Sequence, residues 1–396
     1  MRIAILGTRG VPPNYGGFET FAAELGVRLV ARGHEVFVYC REEGASEWRG
    51  IQRIVLPAAK HKYLETVSHA FLSALDALHR EFDAVLVCNA ANAFVLPLLR
   101  AARIPVAINV DGIERKRRKW NVLGRAVYAI GETFSVSFAN AVVADADVIA
   151  RYYREQYAAE TVTIPYGADF PVEEDSDVLG RLGLKSREYL LYVSRFEPEN
   201  NPLEVVQAYE LLSSSRAQRG ISGAPAHNEP RAPGVAEAPL TPRSARSELK
   251  GGAPPLVLLG KGLYAPDLVA ELHRHASDRI LFPGALYGSD YRTLQRHALI
   301  YVQATEVGGT HPAMIEAMAA GGAVLAHDTP ENREVGGDAV GYFRLRPAET
   351  LSGMLREWLA NGFERDEMRQ RARRRAAERY SWEAVTDAYE GLFARL

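Results

Sequence analysis

Apolar positions along this chain switch repeatedly between two periods. Short β-branched runs that read as strands alternate with stretches in which apolar residues recur every three to four positions, and this alternation predicts parallel sheets covered by helices. The first half opens with a strand at Ile3 to Leu6. A glycine-rich loop follows, then Phe18, Phe21, Ala22, Leu25 and Leu29 at helical spacing, Gly33 as the stop, and a second strand at Val36 to Cys40. Further strands are predicted at Ala84 to Cys88, Pro105 to Val110, Ala141 to Ala144 and Thr161 to Ile164, with a helix around Leu64 to Leu78. A second series places strands at Tyr189 to Ser194, Leu256 to Leu259, Arg279 to Phe282, Leu299 to Val302 and Ala323 to His327.

Between the two series lies PVEEDSDVLGRLGLKSRE, acidic, polar and without a sustained period, so the boundary is placed at residue 175. Residues 213–255 hold seven of the 21 prolines and five glycines but no aromatic residue, too little apolar surface to offset ordering. They are expected to form a disordered surface insertion. No repeat of solenoid or propeller length is present.

Composition narrows the classes. With 396 residues, 47% apolar and 24% charged, the chain is expected to be an ordinary globular protein of two or three domains. The net charge of −2 gives no reason to expect nucleic acid as the partner. Cys40 and Cys88 each sit in an apolar run and suit the core of a protein from a reducing compartment. Neither a signal peptide nor an apolar window of about 18 residues is found, which points to the cytoplasm.

Three segments carry candidate chemistry. GTRGVPPNYGGFET, residues 7–20, joins the first strand to the first helix; Gly16 and Gly17 stand where backbone amides and the helix dipole favour an anion. Its glycine spacing differs from the dinucleotide fingerprint, which demotes NAD. In EVGGTHPAMIEAMAAGG, residues 306–322, Pro312 suits a first helical position. Amides at Gly309, Thr310 and His311 then favour a phosphate, and Glu316, one turn in, suits the vicinal hydroxyls of a sugar. In YVSRFEPENNP, Arg195 follows a strand at the edge where open α/β sheets bind ligands, and its guanidinium suits a diphosphate. No D-x-D loop or His/Cys spacing suggests a metal.

With these segments in hand, the chain resembles a family 4 glycosyltransferase of the GT-B fold, two Rossmann-like parallel-sheet domains facing each other across a cleft. It is most similar to the bacterial rhamnosyltransferase-like branch that opens with GTRG-x-P-x-x-YGGFET and carries R-x-EPENN and VGGT-x-P. The resemblance implies residues 1–175 as an acceptor-side domain and 176–378 as a nucleotide-sugar domain. A C-terminal helix, 379–396, would cross back to the first domain, with a hinge near residue 175.

The resemblance also implies roles. Arg195 matches the arginine that clamps the donor diphosphate, while the companion lysine position holds Asn200. Glu316 matches the second of two glutamates and would hold the ribose. The first, which contacts the donor sugar, falls on Gly308, with Glu306 two residues earlier, a gap consistent with a deoxysugar. Backbone near Leu286 and Tyr287 would read thymine or uracil. Asp111 and Glu114 would touch donor or acceptor.

The implied reaction moves a sugar, rhamnose from a dTDP donor or a hexose from a UDP donor, to a glycan or polyprenyl-diphosphate-linked acceptor in cell-surface polysaccharide synthesis. Configuration would be retained by a front-face route with no metal and no other cofactor, Arg195 and the amides stabilising the leaving diphosphate. The run Arg115, Lys116, Arg117, Arg118 and Lys119 suits contact with the inner face of the plasma membrane. A GT-B-fold epimerase or hydrolase, or a non-catalytic sugar-nucleotide-binding protein, fits the same motifs.

Overall fold

In the computed structural model, which describes residues 1–13, 16–59, 64–117, 121–169, 175–220, 252–262 and 265–396, the two series of strands form two separate sheets. The first half runs β1 (Arg2–Leu6), α1 (Gly17–Ala31), β2 (Glu35–Cys40), β3 (Glu47–Trp48), β4 (Ile51–Val55), α2 (Glu65–Ala77), β5 (Ala84–Cys88), α3 (Leu96–Ala101), β6 (Val106–Asn109), α4 (Val122–Phe138), β7 (Ala141–Ala144), α5 (Asp147–Tyr157) and β8 (Val162–Thr163). Its strands order β3-β4-β2-β1-β5-β6-β7-β8. Every neighbouring pair is parallel except β3 and β4.

The second half runs α6 (Val178–Leu182), β9 (Leu190–Val193), α7 (Pro202–Gly220), β10 (Leu256–Leu259), α8 (Pro266–Arg274), β11 (Ile280–Gly284), α9 (Gly288–His297), β12 (Ile300–Gln303), α10 (Pro312–Ala319), β13 (Val324–His327), α11 (Pro330–Gly336), β14 (Gly341–Phe343), α12 (Ala348–Ala360), α13 (Gly362–Arg379) and α14 (Trp382–Phe393). Its sheet, β11-β10-β9-β12-β13-β14, is parallel throughout. Two parallel-sheet α/β domains of this kind make the GT-B fold.

The central strands are continuous apolar runs because helices bury both of their faces. Ala84–Cys88 is buried at all five positions. The pattern of such runs misses β3, β4 and β14, which lie at or beside sheet edges. There β4 interrupts its buried Ile51 and Ile54 with exposed Gln52 and Val55, and β14 is three residues long.

The insertion expected at 213–255 is corrected at both ends. Helix α7 runs on to Gly220, so 213–220 is helical. Ala253 is buried, and its carbonyl accepts a hydrogen bond from Arg279 at 2.8 Å, which ties the approach to β10 onto the sheet. Residues 221–251 lie outside the described residues.

Helices α2 to α5 cover one face of the first sheet over a core of Ala70, Ala74, Leu96, Leu99, Ile149 and Tyr153. On the other face α1 is covered by α14, the end of the second half. Phe21 meets Tyr166, Trp382 and Tyr389, with ring centroids 5.4, 6.3 and 5.3 Å apart. The Asn109 amide donates to the Tyr389 hydroxyl at 2.8 Å beneath them. Outside this apolar layer Arg32 pairs with Glu383, Asp387 and Glu390 at 2.7, 2.6 and 2.8 Å.

Candidate functional site

The loops that follow β1, β6 and β7 meet the loops that follow β9 and β12. Carboxyl ends of parallel strands are where open α/β sheets assemble sites, because the crossover helices start there with unsatisfied amides. Three close approaches define this seam. Gly112, after β6, lies so near the second domain that a Cβ would stand 2.8 Å from the Gly308 backbone. Gly17, at the start of α1, would place a Cβ 3.5 Å from Pro312, the first residue of α10. Asp145, after β7, accepts a hydrogen bond from the Thr310 amide at 2.8 Å, and its own carbonyl accepts one from the Thr310 hydroxyl.

The Asp145 contact sets the chemistry of the seam. A carboxylate is seated on an amide at the entry to α10, where the helix dipole favours negative charge. Gly309 allows this approach, since a Cβ there would fall 2.0 Å from Asp145 Oδ1. Burial raises the Asp145 carboxyl well above its ordinary range and nearby Asp111 adds to the shift, while the Thr310 amide opposes it.

His311 caps α10. Burial, with Arg117 nearby, pulls its imidazole down to about 4, so the ring is neutral near pH 7. Gly308 sits against that ring, where a Cβ would lie 2.3 Å from His311 Cε1. With the Gly112 backbone on the other side, a side chain at 308 would have to displace the imidazole or the facing loop. Glu306 donates its amide to the Glu199 carbonyl at 2.9 Å.

Glu316 projects one turn into α10 and takes a hydrogen bond from the Tyr291 hydroxyl on α9. Gln295 holds the same hydroxyl at 2.9 Å. Burial pushes the Glu316 carboxyl up to about 7, against the pull of Tyr291. In the loop before α9, Leu286 packs on the core, and Tyr287 caps the helix and is largely exposed. Burial of part of its ring, with Glu19 nearby, raises the Tyr287 hydroxyl; Glu19, buried at the start of α1, takes the Arg9 amide at 2.9 Å. Gly16 caps α1 with extended backbone.

Arg195 is 39% exposed and forms a long ion pair with buried Glu197 at 3.9 Å. It acts on Asp111 of the facing domain. The Asp111 carboxyl is pushed up to about 6 by burial and by Glu114, with Arg117 and Arg195 opposing. Asp111 also has positive φ, 55°, and its amide is held by the Asn109 side chain at 2.9 Å. Asp111 thus feels both Arg195 and, through Asp145, the entry to α10.

Several placements differ from those the sequence led one to expect. Asn200 is buried, and its side-chain amide donates to the Arg195 carbonyl at 2.7 Å, so it shapes the Arg195 turn and does not replace the missing lysine as a donor ligand. Glu114 is buried and pairs with Arg117 at 2.5 Å instead of facing a substrate. Within the basic run, Arg115 and Arg117 are not part of a solvated cationic face. Arg117 is buried and reaches Glu199 at 3.5 Å, and the surrounding carboxylates outweigh the burial that opposes its charge. Arg115 pairs with Glu132 at 3.4 Å and lies 5.3 Å from the centroid of the Tyr152 ring. Buried carboxylates draw these two cations inward. The side chain of Lys116, and all of Arg118 and Lys119, lie outside the described residues.

Asp145, Tyr291 and Glu334 escaped the sequence reading. Glu334, on α11, caps α5 across the seam, taking the amides of Asp147 and Val148 at 2.5 and 2.8 Å. The only local signal for Asp145 was a carboxylate directly after an apolar strand.

Residues 16–167 match the family model described as a glycosyl transferase 4-like domain, and residues 246–378 match glycosyl transferases group 1. No curated protein matches the chain in sequence. Among solved structures it is similar to sucrose-phosphate synthase from Thermosynechococcus elongatus, at 18% identity and TM-score 0.77 over 100% of both chains. HepE from Anabaena, in complex with UDP and glucose, is similar at 16% identity and TM-score 0.74, again over 100% of both chains. A glycosyltransferase from Rickettsia africae is similar at 14% identity and TM-score 0.70, covering 99% of this chain and 97% of that one. At these identities the structures speak for the fold.

Proposed function

From the premise that the chain is a glycosyltransferase of the GT-B fold, we propose that it moves a sugar from a nucleoside diphosphate sugar to a glycan or lipid-linked acceptor with retention of configuration. The observation that carries this reading is the Asp145 carboxylate on the Thr310 amide. A carboxyl oxygen is already bound at the helix entry. A diphosphate oxygen takes that place when Asp145 withdraws. HepE, of the same fold, was crystallised with UDP and with UDP-glucose, which supports a nucleotide-sugar donor here.

The residues then divide the work. Arg195 and the α10 amides meet the charge that grows on the leaving diphosphate as the glycosidic bond breaks, a contribution that is strongest in the transition state. The leaving phosphate takes the proton of the acceptor hydroxyl on the same face of the sugar, so no side-chain base is needed. Glu316, oriented by Tyr291, holds the ribose hydroxyls, and the loop at Leu286 and Tyr287 lies beside the base. Crowding at Gly308 leaves no side chain over the donor sugar, which favours a deoxysugar such as rhamnose on dTDP, with UDP-hexoses next. Cell-surface polysaccharide synthesis at the inner face of the plasma membrane is the proposed setting.

The test is nucleoside diphosphate release from a panel of dTDP- and UDP-sugars, with and without acceptor. Release that depends on acceptor, and that falls about 10²- to 10³-fold in Arg195→Ala, supports the transferase. Equal release without acceptor points to a hydrolase or epimerase and overturns it.

A further inference from the structure

Beside the seam, the carboxyl ends of β1 and β2 bring two arginines to one carboxylate. Arg9 and Arg41 lie just after these strands, and the Arg41 amide donates to the Arg9 carbonyl at 3.0 Å. Glu65, at the start of α2, stands between their guanidinium groups, 3.2 Å from Arg41 and 3.4 Å from Arg9. The Arg41 side chain is only 9% exposed. It donates to the Thr66 hydroxyl at 3.3 Å, and its buried Nε has no hydrogen-bond partner among the described residues.

The charge around Arg41 is incompletely matched. Burial pulls its guanidinium below the ordinary range; Glu65 and Glu19 oppose this, while Arg9 adds to it. Glu19 is a weak counter-ion, because burial raises its own carboxyl against the pull of the Arg9 amide. His69 brings no charge near pH 7, since burial, with Arg41 nearby, holds its imidazole down to about 4. At Arg117 the balance runs the other way, and the carboxylates there outweigh burial. A buried guanidinium with an unused donor is completed by an oxyanion, whose paired oxygens match its fork.

Space for that anion is present. Arg9, Arg41, Glu42, Ala58, Ala59 and Glu65 line a cavity of about 190 Å³, in which Glu42 is exposed to solvent. A second cavity, of about 280 Å³, shares Arg9 and Glu42 and has Trp48 in its wall. The Arg9 amide binds Glu19, whose second carboxyl oxygen would lie 3.5 Å from a Cβ on Gly16, and Gly17 faces Pro312. The cavities thus stand one side chain away from the start of α1, on the first-domain side of the cleft and beside the place given to the donor diphosphate. An indole wall next to a cationic one suits a sugar that carries a negative group. We propose that Arg41, with Arg9, selects an acceptor bearing an oxyanion, a phosphate ester or a sugar carboxylate, and holds that group in the smaller cavity. The anion site stands on the arginine cluster alone; its assignment to the acceptor rests on the transferase reading.

The experiment is calorimetry of the full chain, with UDP present to fill the donor side, against glucose, glucuronic acid and glucose 1-phosphate. At least one of the two charged sugars binds about tenfold or more tightly than glucose, and which of them does so separates carboxylate from phosphate. Arg41→Gln removes that advantage. Arg9→Gln, at a more exposed position that disturbs the fold less, lowers it by about threefold or more. The affinity for UDP is unchanged in both variants. In acceptor-dependent release of nucleoside diphosphate, Arg41→Gln raises KM for the charged acceptor about tenfold and leaves KM for a neutral acceptor and for the donor unchanged. Equal binding of the three sugars, or an advantage that survives in both variants, overturns the proposal. If a charged sugar binds through Arg41 while UDP does not bind at all, the transferase reading fails and the anion site stands; if UDP binds and neither charged sugar gains over glucose, the anion site fails and the transferase reading stands.

Discussion

The two halves of the chain touch in two places of opposite character. Where α14 lies on α1, Phe21, Tyr166, Trp382 and Tyr389 form a dry aromatic layer with an arginine network outside it. Where the strand ends meet, the contacts are a carboxylate on an amide, a carboxylate capping a helix, and glycine against glycine. Separating the first seam exposes apolar surface to water, which nothing in solution offsets. Separating the second exposes amides and carboxylates that water or a phosphate can satisfy. One seam holds the halves together; the other can exchange partners.

The aromatic seam is broken most directly at Trp382, which is buried and stands within 2.3 Å of where a Cβ of Gly167 would be. Trp382→Ala is expected to lower the unfolding free energy by about 3–5 kcal/mol in a denaturant titration. An unchanged midpoint would mean that α14 is only lightly attached.

On the polar side, the pH dependence of stability reports Glu316. Its folded carboxyl keeps its proton up to about 7, whereas the ordinary value is 4.5, so the folded state binds more protons between these limits. That contribution is complete below about 4.5 and is lost as pH rises through 7, up to about 3 kcal/mol. Glu316→Gln should flatten the profile over this window; an unchanged slope would assign it to other groups.

A smaller effect is expected at Asp145. If it occupies the place of a diphosphate oxygen, Asp145→Ala should tighten UDP binding in calorimetry by about tenfold, near 1.5 kcal/mol for one charge-assisted hydrogen bond. Weaker binding would make Asp145 a support for the site rather than a competitor. Least affected should be Glu334→Gln, which keeps one amide contact of the α5 cap and sets an NH2 donor against the other amide. A loss of about 1 kcal/mol is expected, only part of which is screened by salt.

What the sequence could reveal follows the same division. Ala84–Cys88, Ala141–Ala144 and Leu256–Leu259 stand where the apolar runs predicted them, because burial on both faces leaves a local mark. The position of Glu316 on a helix opened by Pro312 was equally local. Asp145 meets Thr310 across 165 residues, and Glu334 reaches Asp147 across 187, distances over which no spacing rule operates. The basic run shows the converse failure. Five adjacent cations suited contact with a membrane surface, yet Arg117 turns inward because Glu114 and Glu199 are buried beside it.

The chain passes between its halves twice, once after β8 and once before α14, and these passages are joined to each other: the Ala168 amide donates to the Tyr380 carbonyl at 2.6 Å. A rigid body fastened at two neighbouring points keeps a single easy rotation, about the line through them, and resists twisting and sliding. Any opening of the cleft would therefore be steered like a door on its jamb, and closure would bring Thr310 back opposite Asp145 in the same alignment.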